Sequence, residues 1–133
     1  MIKNYVIFLL FFGLLINISA QDSINGTWQY KTMGHHENLG IYELSINLNI
    51  QNGKYTWIAE RISEKAMYWS SGERGSITVN NSEIIFLKEE QAYGQWDLRW
   101  ETENGSSTYV YFIYNNILIL IQENEVLVFG TDN

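Results

Sequence analysis

The chain contains no cysteine and no proline, two histidines, and eight basic against fifteen acidic side chains in 133 residues. Without cysteine there is no disulfide framework, no thiolate metal site and no cysteine nucleophile. With so few bases and a formal charge of −7, the clustered lysine and arginine that a nucleic-acid phosphate backbone requires is missing. Without proline, chain reversals fall to Gly and Asn. No P-loop, no HExxH, no nucleophile elbow and no glycine-rich dinucleotide fingerprint occurs. What the chain has is apolar and aromatic: 46% hydrophobic residues, with five Trp, nine Tyr and six Phe. That is too hydrophobic for disorder, and the length suits one domain.

Residues 1–20 read as a secretory signal peptide. Lys3 supplies a short positive start, Tyr5 to Ile16 is almost entirely apolar, and Asn17 to Ala20 is more polar and ends on a small residue. A helix over that run covers only about 18 Å, short of the ~30 Å hydrocarbon core that an anchor must span. Cleavage near Ala20 is therefore expected, with export to the periplasm or medium. The remaining residues 21–133 form one domain carrying seven basic and fifteen acidic side chains, a net of −8.

That domain reads as all-β. From Tyr42 to Ile50, apolar residues alternate strictly with Glu43, Ser45, Asn47 and Asn49, the period-two pattern of a strand with one dry face. Asn52-Gly53 follows, the strongest short-range hairpin signal. Its register predicts Ile50 opposite Tyr55, Leu48 opposite Trp57, Ile46 opposite Ala59 and Leu44 opposite Arg61. Asn80-Asn81, Asn104-Gly105, Asn115-Asn116 and Glu123-Asn124 read as further two-residue turns. They predict Ile77 opposite Ile84, Trp100 opposite Tyr109, Leu98 opposite Tyr111, Ile113 opposite Leu118 and Leu120 opposite Leu127. Ser63 to Ser70 reads as a short strand or a bent connection. About eight short strands hide their edges best by closing. The expected fold is an up-and-down antiparallel β-barrel.

The segment Ile24-Asn25-Gly26-Thr27-Trp28, a Gly-x-Trp at the start of the first strand followed by a hairpin meander, resembles the lipocalin-like, calycin-type group of small bacterial barrels. The resemblance implies that Trp28 closes one end of the barrel and that a small molecule is held inside.

The registers predict an inward set that includes Trp28, Tyr30, Trp57, Phe86, Trp96, Leu98, Trp100, Tyr109, Tyr111 and Phe129. Such a lining serves either as a ligand pocket or as a solid core. Arg61, turned to the face of Trp57, is expected either to grip the acidic head of an apolar ligand with Tyr109 or Tyr111, or to lie wetted at the rim. The ligand-binding candidates are thus Arg61, Trp57, Trp96, Trp100, Tyr109 and Tyr111. His35, His36 and Glu37 read as an exposed loop rather than a metal site. Adjacent histidines on an extended chain point opposite ways, and no further ligand has recognisable spacing. No cofactor is expected.

Val110, Phe112, Ile117, Ile119, Ile121, Val126 and Val128 fall on the outward face of the last three strands, an apolar patch of the kind that marks an interaction surface or self-association. Two functions follow: a non-catalytic exported barrel that binds a small apolar or amphipathic molecule, or a filled barrel that works as an interaction module (inhibitor, adhesion or envelope accessory protein) through that patch.

Overall fold

The computed structural model describes residues 24–95 and 97–131. The leader therefore lies outside the described residues, as does Trp96. Eight strands follow in chain order: β1 (Gly26–His36), β2 (Gly40–Gln51), β3 (Lys54–Ser63), β4 (Tyr68–Val79), β5 (Glu83–Gly94), β6 (Arg99–Tyr114), β7 (Ile117–Gln122) and β8 (Glu125–Thr131). Each pairs antiparallel with the next, and β8 returns to β1, closing an up-and-down barrel.

The Asn52-Gly53 turn sets β2 and β3 in the expected register. Asn52 and Gly53 adopt φ of 53° and 76°, the pair of positive values that a type I′ turn needs. Ile50 faces Tyr55, Leu48 faces Trp57, Ile46 faces Ala59 and Leu44 faces Arg61. The pairs Ile113–Leu118 and Leu120–Leu127 also form.

Two turns differ from expectation. Asn80 stays in the ladder: its N–H donates to Glu83 O (3.0 Å), and its Oδ1 accepts from the amides of Ser82 and Glu83. The reversal thus moves to Asn81-Ser82, and Ile77 pairs with Phe86 instead of Ile84. A shift of two residues preserves the face, so Ile84 and Phe86 remain buried.

Asn104-Gly105 is not a turn at all. It lies inside β6, which runs unbroken for 16 residues because β5 offers partners to both halves. Gly105 pairs with Lys88, and a Cβ there would stand 3.3 Å from Lys88 Cε, so this glycine serves a close approach rather than a reversal. Tyr109 pairs with Ile84 and Trp100 with Ala92, not with each other, and Leu98 precedes β6 without pairing Tyr111.

The core gathers on the barrel axis. Leu48, Ile84, Leu118, Leu120 and Phe129 are fully buried, and Ile24 and Trp28 seal the end carrying the β2–β3, β4–β5 and β6–β7 turns, here called the floor. Trp28 Nε1 donates to Ile24 O at 2.9 Å, so the buried indole is satisfied. Gly26 holds φ of 139°, strained for any residue with a Cβ, which explains the glycine two residues before that Trp.

Candidate functional site

A chain of rings fills the barrel. Phe86 makes edge-on contacts with Tyr55, Trp57 and Tyr109 at centroid distances of 4.9, 5.9 and 5.7 Å. Trp57 then meets Phe129 (5.6 Å), which leans on Tyr30 (5.7 Å). Edge-to-face pairs of this kind add about 0.5–1.5 kcal/mol each beyond their burial. They leave a cavity of about 10 Å³ between Trp57, Glu73, Phe86, Ser107 and Tyr109. That is room for about one water, against the ~300 Å³ where ligand pockets begin.

Glu73 stands beside this ring stack, at a position that no sequence signal marks. It pairs with Trp57 across β3–β4, and Tyr55 Oη donates to its Oε2 at 2.9 Å. The β3–β4 turn that sets this register (residues 64–67) has no Asn-Gly signature. It bends through Ala66, at φ of 60°, and is fastened by Ser63 Oγ, which accepts from the amides of Lys65 and Met67. Burial, then the charge of and hydrogen bond to Glu73, push the Tyr55 phenol far above its ordinary value. Burial, followed by the charges of Glu125 and Glu73, pushes Tyr109 up to about 12. Both phenols therefore stay neutral beyond the pH at which an ordinary tyrosine ionises.

Of the candidate ligand residues that are described, Trp57 and Tyr109 meet around Phe86, while Arg61, Tyr111 and Trp100 lie apart from them. Arg61 lies half-buried two residues before the end of β3, paired in the ladders with Leu44 and Trp69, at the mouth opposite the floor. Among the described residues the ion pairs are Arg74–Glu90 and Lys88–Glu103, and Arg61 belongs to neither. Tyr111 sits at the floor, where its Oη donates to Asn80 O at 3.0 Å. Tyr109 is enclosed beside Phe86. Trp57 is part of the ring stack.

Trp100 is on the outside, correcting its expected inward placement. An unbroken β6 puts residues nine apart on opposite faces, so with Tyr109 inside, Trp100 must point out. There it covers Gly72, where a Cβ would stand 3.0 Å from its ring and from Ile58, and Arg74 lies 4.1 Å over its centroid. Set against Gly72 and under the Arg74 guanidinium, this indole ties β6 to β4 across β5. His35 and His36 end β1 in exposed positions, and His36 Nδ1 accepts from Asn38 N at 3.2 Å.

The outer face of β6–β8 is the most distinctive surface. Cross-strand pairing lays out three rows: Val110–Ile121–Val126, Phe112–Ile119–Val128, and Tyr114–Ile117–Gly130. Phe112 is 56% exposed, Tyr114 74% and Val126 58%. The rows hold eight apolar or aromatic side chains and no charge. Tyr114 was missed in sequence because its turn-side position falls at the last residue of β6; the alternation Val110, Phe112, Tyr114 would have found it.

No helix among the described residues is long and apolar enough to cross a membrane. Comparison with protein-family models, with curated proteins and with solved structures finds no match.

Proposed function

We propose that this is an exported, non-catalytic, lipocalin-like barrel whose interior is structural and whose outer β6–β8 face binds protein. The supporting observation is the contrast between inside and outside. Rings leave about 10 Å³ within, while a three-by-three grid of uncharged positions stands in solvent without. Burying an exposed Val or Phe side chain is worth roughly 1.5–3 kcal/mol, so a handful of these positions supplies the core of an interface. The Gly26-Thr27-Trp28 closure and the meander support the calycin-type likeness. The leader supports export, as an inhibitor, adhesion or envelope accessory protein.

Phe112→Lys with Val128→Lys tests this. Both side chains point into solvent, so the thermal midpoint should stay within a few degrees of the parent. Binding of an exposed-surface dye such as ANS should drop several-fold. If dye binding is unchanged, the patch is not the accessible apolar surface and the reading fails.

A further inference from the structure

We infer that the free edge of β6 accepts an extended, lysine- or arginine-bearing segment of a partner protein as an added strand. This surface is separate from the apolar grid, and the inference does not rest on that reading.

The observation is a mismatch in strand length. β6 has 16 residues, but its ladder with the six-residue β7 ends at Val110–Ile121. One position further, Thr108 O accepts from the side chain of Gln122 at 3.3 Å, a single bond where the main-chain ladder stops. On the other side of the gap, the described residues of β1 pair with β8 at Trp28–Thr131 and Gln29–Gly130 and at no further position. Above the β7–β8 turn the wall therefore has a notch between β6 and β1. Its base holds a cavity of about 480 Å³ lined by Thr108, Gln122, Glu123, Asn124 and Glu125.

The edge is already shaped for a strand. Tyr111 N–H donates to Ser82 O on the β5 side, so in the alternating antiparallel pattern the main-chain groups of Ser106 and Thr108 face the notch. β5 holds β6 from the other side along both halves, so an added strand would demand little rearrangement. Edge addition of this sort draws affinity from main-chain hydrogen bonds and specificity from alternate side chains.

Charge selects the occupant. Glu101 pairs with Gln91, which pairs with Glu73, so Glu101 shares the inward face. Glu103 is on that face as well, within 3.5 Å of Lys88 Nζ. With Glu123 and Glu125 at the base, four acids stand on the β6 side and base of the notch against Lys88 and Arg99, while the β1 wall carries Lys31, His35 and His36. A second copy laying its own β6 alongside would set glutamates against glutamates, the device by which natural edges resist self-pairing. A segment alternating basic with uncharged residues meets the acids from the inward side and Trp100 and Thr102 from the outward side.

The test uses the ¹⁵N-labelled protein and a synthetic peptide of about nine residues alternating lysine with valine or threonine. Exchange of the Ser106 and Thr108 amides should slow at least tenfold on saturation. A peptide with glutamate in place of lysine, or one N-methylated at alternate amides with its charge kept, should give no slowing. Glu101→Lys with Glu103→Lys should abolish the effect; because the N-methylated control addresses the same question on the parent protein, misfolding of that variant would not leave the idea untested. Equal response to the N-methylated peptide, absence of any slowing, or perturbation confined to the outer β6–β8 grid would each overturn the inference. So would protection that rises with protein concentration alone, since a second copy would then fill the edge.

Discussion

Tyr109 and Tyr55 show how single side chains here report on the barrel interior. Both phenols resist ionisation because burial disfavours the phenolate, and Glu73 adds a like charge beside it. Their folded-state values lie above the ordinary 10, so their contribution to stability is complete below pH 10 and is lost as pH rises toward about 12, where Tyr109 ionises. The urea midpoint should accordingly be flat from pH 7 to 9 and fall steeply between 10 and 12. A midpoint unchanged at pH 12 would contradict the burial of both rings. At the floor, Trp28→Phe removes the donor to Ile24 O, whose residue is 2% exposed, and should cost about 1–3 kcal/mol by urea unfolding on top of any packing loss. Gly53→Ala, at φ of 76°, should cost roughly 1–2 kcal/mol while leaving the core intact.

Among the strands, legibility in the sequence followed how local the determining physics is. β2 and β3 could be read to the residue because strict alternation and a type I′ turn specify the same register. The Asn80 turn slipped because asparagine can cap a turn with its side chain as readily as occupy one, and the sequence does not distinguish the two. Asn104-Gly105 misled for a different reason. Whether an Asn-Gly becomes a reversal depends on which strand its neighbours pair with, and here the long β5 took both sides. That one non-local fact moved Trp100 from the core to the surface. Glu73 was illegible because its neighbours, Ser70-Ser71-Gly72 and Arg74-Gly75-Ser76, carry no apolar alternation. The closure is also uneven: among the described residues, eleven pairs join β1 to β2, but two join β1 to β8. Native-state hydrogen exchange should therefore find the amides of Gln29 and Gly130 opening well before those of Leu48 and Trp57. The reverse order would show that the seam is not the weak point.

Taken whole, the molecule is a closed cylinder in which the same alternation that packs the axis decorates the outside. On β2 the outward residues are Ile41, near the start of the strand, and then Glu43, Ser45, Asn47 and Asn49, a wet face along most of its length. On β6–β8 they are valine, isoleucine, phenylalanine and tyrosine, and burial of the axis does not require that choice, since only the inward residues reach it. The net charge of −7 and the uncharged rows of β6–β8 thus sit on the same molecule. With about 10 Å³ left between Trp57, Phe86 and Tyr109, we propose recognition on the surface, at the grid and at the β6 edge. Native mass spectrometry of the protein as purified is the most direct check on that division. The account predicts the mass of the bare chain, with no stoichiometric small molecule retained under gentle activation. A tightly held apolar ligand, lost when Trp57 or Phe86 is replaced by a smaller residue, would contradict it.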